Sequence, residues 1–376
     1  MPTRKLQNPD DFRGQKFYVG IDVHKKSWSV TVRSLNFVVA HFTQPPSPEA
    51  LLSQLQHKFP GGEYYSTYEA GFSGTGAHEK LCKLGIKNIV VHPGDIPRTD
   101  KEKKNKTDVH GSRSLAFNLE KGNLHSIFVM SRQQQEFRAL FRLRESKARD
   151  VTRSINRLKA CLLYFGIDYS SIFEGYVSAR VITWLRKLQM TNEAGTFTLK
   201  KYIDDLVHQR SELGKITKAL RGHAKKEHSL TYKCLLSVPG IGFTTAIGLL
   251  AEIGDFNRFK DPAEYCSFLG LIPWQHSTGE TVQVKGIQPR CNKHLRPLLV
   301  EASWFAIRNE PSLLKYYRKH AVKNSRHAIV KVARKLALIA KSVAQKLQMY
   351  QADYCPSPNH GLIVSRDFRE ITQSKP

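Results

Sequence analysis

Paired cysteines, acidic residues and long apolar runs are scarce in this sequence. Its six cysteines are scattered along 376 residues and never form a Cys-x-x-Cys pair, so the sequence supports neither a zinc ribbon nor a disulfide framework. No apolar run approaches the roughly 18 residues that a membrane span requires, and residues 1–11 lack an apolar signal core. We therefore expect a soluble, cytoplasmic protein that does not span a membrane.

Basic residues outnumber acidic ones, since 59 lysines and arginines stand against 32 aspartates and glutamates and give a net charge of +27. They occur along most of the chain rather than in one tail. Release of condensed counterions favours the binding of such a protein to nucleic acid. The composition predicts a polyanionic partner, with an anionic membrane surface as the alternative.

The apolar pattern divides the chain into four segments. Residues 17–125 begin with three strand-like runs and then alternate helix and strand, which is the order of a ribonuclease-H-like α/β domain. Residues 131–228 hold two long amphipathic stretches with basic residues, which predict an antiparallel arm or a dimerising coiled coil, with a charged helix in a bundle as the plain alternative. Residues 229–320 are mostly helical, and residues 321–376 form a basic helix and a polar tail.

Three acidic residues stand at the ends of segments in the α/β part. Asp22 closes the strand-like run 17–21, Glu69 closes the run 64–68, and Asp108 opens a helix-like stretch. Singly, each also fits an ordinary turn or cap. Together they form a carboxylate set of the kind that divalent metal ions need for phosphodiester chemistry. We predict a metal site made by these three residues.

A glycine-containing loop in the third segment suits contact with a nucleic-acid backbone. The run VPGIG at 238–242 places Gly240 and Gly242 just before a helix. A helix N-terminus directs backbone amides at a phosphate, as in a helix-hairpin-helix clamp. A simple tight turn explains the same pattern.

A second run in that segment offers a nucleophilic hydroxyl. In WQHSTGE at 274–280, Ser277 and Thr278 precede a glycine in a predicted turn, where a hydroxyl would be accessible. An ordinary Ser/Thr turn explains the local pattern equally well. Basic residues follow that would contact phosphates. They are Arg290, Lys293, His294 and Arg296.

These motifs together resemble those of the DEDD-type insertion-sequence transposases, a family that includes the bridge-RNA-guided recombinases. The resemblance covers roughly residues 17–320. It rests on VGIDVHK (19–25), YEA (68–70), KTD (106–108), SRSLA (112–116), VPGIG (238–242), LGLIP (269–273), HSTGE (276–280), NKHLR (292–296) and EASW (301–304).

The resemblance implies a RuvC-like domain that binds magnesium through an acidic tetrad, with Asp22, Glu69 and Asp108 as its first three members. It implies a covalent link between DNA and a serine, here Ser277, with Thr278 as the alternative. A noncoding bridge RNA would pair with donor and target DNA, so that base pairing supplies the choice of site. The two conserved domains would meet in a composite site of a homo-oligomer, a dimer or tetramer, which the helical arm helps to assemble.

The chain departs from the family pattern at two places. The fourth acidic residue is expected three positions after Asp108, where Gly111 stands. Either His110 substitutes, or the site keeps three carboxylates, or the loop 95–102 donates one, or this copy is impaired. Relatives often carry two adjacent serines before the glycine, whereas this chain has a serine followed by a threonine.

Three functions are consistent with these observations. The leading one is a magnesium-dependent, RNA-guided DNA recombinase of an insertion sequence. The second is a RuvC-like DNA nuclease that uses magnesium and water and does not need Ser277. The third is a catalytically weakened nucleic-acid-binding protein, which the glycine at position 111 favours.

Overall fold

The computed structural model describes residues 11–71, 73–97, 108–172, 177–278 and 281–352, and gives only the backbone of residues 108–109, 275–278 and 281–285. The chain divides into two units, Met1–Val129 and Met130–Pro376. The finer boundaries expected at 131, 229 and 321 remain predictions. The protein is mixed, with a five-stranded sheet and many helices, as the sequence predicted.

The first unit is built on this sheet. Its strands are β1 (Lys16–Val23), β2 (Trp28–Ser34), β3 (Phe37–Gln44), β4 (Glu63–Glu69) and β5 (Lys87–Val91). The spatial order is β3-β2-β1-β4-β5, with β1 antiparallel to β2 and parallel to β4, and with β5 parallel to β4. This order is consistent with the ribonuclease-H-like domain expected from the sequence.

Helices cover both faces of the sheet. They are α1 (Pro48–Lys58), α2 (Gly76–Lys83) and α3 (Asp108–Glu120), with a 3-10 turn at Pro93–Asp95. α1 begins at Pro48 because Ser47 caps it, and the Ser47 hydroxyl accepts a hydrogen bond from the amide of Ala50 at 3.2 Å. Leu51 and Leu55 of this helix pack with Phe17 and Ile21 of β1 in the core on one face.

α3 lies on the opposite face, directly against β1. A Cβ atom at Gly20 would lie 2.1 Å from the carbonyl oxygen of Ser112 and 2.4 Å from the amide nitrogen of Ala116. Only glycine therefore permits this approach of helix to strand. A buried hydrogen bond of 2.9 Å joins the hydroxyls of Thr31 and Ser112, and at the other end of α3 Arg33 pairs with Glu120 at 2.7 Å. These contacts fix where α3 meets the end of β1.

The second unit is mainly helical. Its elements are α4 (Arg132–Tyr164), α5 (Ala179–Lys187), α6 (Glu193–Glu227), α7 (Ser229–Leu236), α8 (Phe243–Ile253), a 3-10 turn (Phe256–Arg258), α9 (Pro262–Leu269), β6 (Pro273–Thr278), β7 (Thr281–Ile287), α10 (Leu295–Asn309), α11 (Pro311–Ala321) and α12 (Ser325–Lys346).

The long helices α4 and α6 run antiparallel within one chain. Near the start of α4, the Phe137 ring lies 4.5 Å from that of His223, close to the end of α6. Further along, the Ser154 hydroxyl donates to Asp205 at 2.6 Å. Because residue numbers rise along one helix as they fall along the other, the pair forms the predicted antiparallel arrangement. Whether it also serves a dimer remains a prediction.

One core joins α7 to α12 with the adjoining parts of α4 and α6, whereas α5 packs in a separate cluster with the other ends of these two long helices. Phe141 of α4 and Leu220 of α6 pack in the same cluster as Leu250 of α8, Leu299 of α10 and Leu336 of α12. The basic helix expected after residue 321 therefore also supplies buried side chains. No helix among the described residues combines the length and the apolarity needed to cross a bilayer.

Candidate active site

Two of the predicted acidic residues stand side by side at one edge of the sheet. The register of the parallel strands pairs Gly20 with Thr67 and Ile21 with Tyr68. Continued by one residue, it brings Asp22 of β1 next to Glu69, the last residue of β4. Residues paired in this way face the same side of a sheet, and here it is the side of Gly20, which α3 covers. The structure thus brings Asp22 and Glu69 together, although their sequence separation is large.

The first turn of α3 lies over Asp22. A Cβ atom at Gly111 would be 2.7 Å from the Asp22 carboxylate oxygen Oδ2. The position at which the family pattern expects a fourth carboxylate therefore lies directly against the first one. Asp108 begins the same helix, one turn before Gly111, so its backbone belongs to the same region. Its side chain lies outside what the structure describes.

The structure also shows where other groups proposed for this site lie. His110 is exposed, and Asp95 is exposed in the 3-10 turn after β5. Asp100 and Glu102 lie outside the described residues. A neighbour that the sequence did not single out is His24, whose Nε2 atom is 3.5 Å from Asp22 Oδ1.

The donor chemistry of this edge suits a hard divalent cation. Two carboxylates from adjacent strand ends, with a third acidic residue opening α3, are oxygen ligands of the kind that Mg²⁺ prefers. Among the residues whose side chains are described, no three His, Cys, Asp or Glu residues cluster closely enough to hold an ion. The side chain of Asp108 is not among them, so the three-carboxylate set remains a prediction.

The segment with the expected nucleophile folds differently from the prediction. The sequence predicted a turn around Ser277 and Thr278, but these residues belong to an antiparallel hairpin formed by β6 and β7. Ser277 pairs with Val282 and Thr278 pairs with Thr281, so both hydroxyl-bearing residues stand at the end of β6. The strand positions of Ser277 and Thr278 were missed because the polar composition of WQHSTGE does not indicate a strand, whereas pairing with β7 stabilises one. Gly279, beside which the turn was predicted, lies outside the described residues.

The two glycines of VPGIG have different surroundings. Gly240 has a φ of +86°, and a Cβ atom there would lie 2.3 Å from the carbonyl oxygen of Ala302. Its presence is explained by a close approach to α10, not by a ligand. Gly242 is exposed at the start of α8, where no described side chain caps the helix and no described atom lies within 4 Å of a Cβ atom built at Gly242. Of the two glycines, Gly242 is therefore the one that lies beside the uncapped backbone amides at the start of α8.

The four basic residues expected to contact phosphates also separate into two kinds. Arg290 and Lys293 are exposed. His294 hydrogen-bonds Glu145 of α4 through its Nδ1 atom, and Arg296 donates to the carbonyl of Gln288 and lies against Gly270. Both of the latter therefore hold the protein's own fold together.

A buried polar network beside these residues was missed by the sequence reasoning. The Glu252 side chain, only 1% exposed, accepts hydrogen bonds from Arg142 at 2.6 and 2.8 Å and from Asn292 at 2.9 Å. Burial alone would raise the pKa of the Glu252 carboxyl, but these hydrogen bonds outweigh it and hold the pKa below its ordinary value. Asn292 also accepts from the amide of Leu295 at the start of α10. The network ties α4, α8 and α10 together.

One signal could have revealed this network. Glu252 is the single acidic residue in the apolar helix α8, within a run whose other members are buried hydrophobic or small residues. A buried carboxylate requires a charged or hydrogen-bonding partner. The partner itself, Arg142, lies 110 positions away and could not be identified from spacing.

Comparison with known families accounts for both motif sets. A model of IS110-type DEDD transposases, described as Transposase, matches residues 19–166, and the model described as Transposase IS116/IS110/IS902 family matches residues 232–318. The chain belongs to the DEDD-type insertion-sequence transposases. The first match contains Asp22, Glu69 and Asp108, and the second contains the hairpin with Ser277.

Individual relatives agree with this assignment. The transposase is 29% identical to the y4qE protein of Sinorhizobium fredii over 321 residues, or 82% of this chain and 76% of that one. It is 27% identical to the transposase for insertion sequence element IS1533 of Leptospira borgpetersenii over 311 residues, or 77% and 85% of the two chains. The transposase for IS1111A of Coxiella burnetii is 24% identical over 232 residues, or 60% and 61%. Transposases cut and rejoin DNA, so this chain is an enzyme that acts on DNA.

Proposed function

We propose that this transposase cuts DNA with the help of Mg²⁺ held by Asp22, Glu69 and Asp108, and that Ser277 forms a covalent link with the cut strand. The adjacency of Asp22 and Glu69 beneath the first turn of α3 carries the metal-binding part of the proposal. Magnesium at this edge would supply positive charge to a phosphodiester undergoing displacement. The three residues would orient the ion through oxygen ligands.

Ser277 would supply the attacking oxygen. A bond forms between Ser277 Oγ and phosphorus, the bond from phosphorus to the leaving deoxyribose oxygen breaks, and the hydroxyl proton leaves to a base or to water. The leaving oxygen takes up a proton in turn. Because the phosphodiester bond energy is kept in the protein–DNA link, reversal of the step on a new DNA end would rejoin strands without an external energy source.

Thr278 is the alternative nucleophile in the same hairpin. Ser277 and Thr278 are successive residues of β6, and successive strand residues belong to opposite faces of a ribbon. A DNA phosphate that approaches one face would meet one of them and not the other. We favour Ser277 because the family resemblance assigns the reaction to a serine.

A noncoding bridge RNA would choose the donor and target sites. The net charge of +27 supports a polyanionic partner in general, and the RNA itself rests on the resemblance to bridge-RNA-guided recombinases. Base pairing would then read the sequence, while the protein holds backbones. The exposed start of α8 at Gly242, together with Arg290 and Lys293, would contribute phosphate contacts.

Assembly as a homo-oligomer would use the far end of the helix pair. Leu163, Tyr164 and Phe165 at the end of α4 are 70%, 83% and 49% exposed, and Phe197 at the start of α6 is 62% exposed. An apolar group of this kind on a charged helical pair is typical of an interaction site. Sedimentation of Tyr164→Ser should show a smaller oligomer than the wild type if this end joins protomers.

The central experiment follows the covalent link. Purified protein is incubated with Mg²⁺, the element's RNA and labelled donor and target DNA, and the products are run on a denaturing gel before and after protease. We expect a protease-sensitive DNA adduct that Ser277→Ala removes and Thr278→Ala retains. Asp22→Asn should abolish cleavage and leave nucleic-acid binding nearly intact. Cleavage without any adduct would instead establish a nuclease that uses water.

Gly111 favours a second candidate function, that of a nucleic-acid-binding protein with weakened catalysis. A glycine has no side chain to ligate the ion at the position that contacts Asp22. If the wild type binds RNA and DNA but cleaves neither, Gly111→Asp should restore cleavage. A Gly111→Asp variant that is equally inactive would argue against the metal site itself.

A further inference from the structure

A cationic pocket lies between the long helices α4 and α6. Its volume is about 540 Å³, within the range of roughly 300–1,000 Å³ that is usual for small-ligand sites. Arg144, Arg210, Lys218 and Arg221 contribute positive charge, and Val151 and Leu213 contribute apolar surface. The described residues that line the pocket include no aspartate or glutamate.

Two of these cationic side chains contact other parts of the protein, and a third has a buried donor atom without a partner among the described residues. Arg210 donates to the carbonyl of Val177, and the Arg221 guanidinium lies 4.8 Å from the centre of the Phe243 ring. The buried Nε atom of Arg144 has no hydrogen-bond partner among the described residues. Burial lowers the pKa of the Arg144 guanidinium, so a nearby anion would stabilise its charged form.

The spacing on α6 gathers these groups on one face. Arg210, Gly214, Lys218 and Arg221 follow one another at steps of four, four and three residues, which is the repeat of one helix face. Gly214 stands in the middle of this face. A Cβ atom there would have no neighbour within 4 Å among the residues that the structure describes. Packing against these residues therefore does not require the glycine, although a glycine inside a helix is unfavourable. Its lack of a side chain keeps the pocket open.

We propose that this pocket binds one unpaired nucleotide of an RNA or DNA strand, with the phosphate on the cations and the base against Val151 and Leu213. The inference deepens the proposed function, on which it rests, by naming a subsite for its nucleic-acid partner. Unstacked bases are the ones that side chains and arginine planes can contact. A pocket of this size, bounded by two helices, admits a single nucleotide and excludes a duplex.

The test blocks the pocket without removing charge. Gly214→Leu would fill it, whereas Gly222→Leu places the same side chain on α6 at another open glycine that does not line the pocket. Both substitutions replace a helical glycine by a good helix former, so both proteins should melt at or above the wild-type temperature. Gly214→Ala is a second variant that should retain binding, because its methyl group is small.

Binding of the full-length protein is measured with labelled single-stranded RNA, single-stranded DNA and blunt duplex DNA, and with AMP as competitor. We expect Gly214→Leu to weaken binding of a single strand about tenfold and to leave duplex binding unchanged, with Gly222→Leu equal to the wild type. The strand that loses affinity identifies RNA or DNA as the source of the nucleotide. If AMP binds but the affinity for neither single strand changes, the pocket holds a free nucleotide, and the assignment to a nucleotide within a strand is overturned.

Charge removal gives an independent readout. Lys218→Gln should reduce the slope of log affinity for the single strand against log salt by about one. Lys225 is an exposed lysine of α6 outside the pocket, and Lys225→Gln should leave the affinity for the single strand unaltered. If Gly214→Leu and Gly222→Leu behave alike on every ligand, the pocket is not a nucleotide site. A wild type that binds no nucleic acid would overturn the proposed function as well.

Discussion

Replacing Gly20 by alanine should move Asp108 away from Asp22 and Glu69, while all three acidic residues of the candidate site remain in the chain. The added Cβ atom would lie 2.1 Å from the carbonyl oxygen of Ser112, whereas ordinary van der Waals contact begins at 3.4 Å, so α3 must move outward by about 1.3 Å. The neighbouring atoms belong to the backbone of a helix and cannot rotate away. Asp22 stays on β1, but Asp108 moves with α3.

The magnitude of the effect differs between stability and catalysis. Overpacking of a well-packed contact costs about 1–3 kcal/mol, which leaves a unit of this size folded. A displacement of about 1 Å in a catalytic group lowers a rate roughly 100-fold. We therefore expect Gly20→Ala to lose Mg²⁺-dependent cleavage far more strongly than stability.

Single-turnover DNA cleavage across a Mg²⁺ titration and chemical denaturation together test this expectation. Gly76→Ala is the matched control, since no atom in the described part of the chain lies within 4 Å of a Cβ atom built at Gly76 on α2. The control should cleave and unfold like the wild type. A Gly20→Ala protein with an unchanged cleavage rate would refute the reasoning that contact between α3 and β1 sets the carboxylate geometry.

Further predictions concern the buried network, the metal site and the nucleic-acid partner. Arg142→Met should lower the free energy of unfolding by about 3 kcal/mol. This is the low end for a broken buried ion pair, because the Arg142 side chain is 44% exposed. Unchanged stability in denaturant would contradict the network's role. The pKa of Glu252 is held below its ordinary 4.5. Its ion pair with Arg142 therefore contributes fully to stability at neutral pH and is lost as pH falls through that lowered pKa. The difference in stability between wild type and Glu252→Gln should shrink in acid. Gly111→Asp should lower the melting temperature without metal, by repulsion from Asp22, and gain more from added Mg²⁺ than the wild type does; equal gains would argue against the site. DNA affinity of the wild type should fall by orders of magnitude between about 50 and 200 mM salt, and a flat profile would count against a phosphate-binding surface.

Local sequence patterns located most elements of the first unit. The strands around Val19, Val30 and Tyr68 follow apolar runs bounded by turns, and Ser47 with Pro48 marks the start of α1. These signals are short-range, because capping and strand propensity act within a few residues. The long amphipathic helices of the second unit were equally predictable from their repeat.

The hairpin of β6 and β7 was not predictable in the same way. Its residues are polar, so their strand conformation depends on pairing such as that of Ser277 with Val282. The packing roles of Gly240 and Arg296 were likewise not predictable, because Ala302 and Gly270, against which they lie, are distant from them in sequence. The sequence does not distinguish a glycine that lets a phosphate approach the backbone from a glycine that lets a helix pack against it.

The sequence alone determined the charge of this protein, the order of elements in its first unit and the residue types of its motifs, including the glycine at position 111. Only the tertiary structure decided that Asp22 and Glu69 are neighbours, that Gly111 lies against Asp22, and that Gly214 opens a pocket between two helices. The physical reason is that propensity and charge reside in single residues and short segments. Adjacency of carboxylates and the shape of a pocket arise from parallel pairing and helix packing, which join residues that the chain keeps far apart.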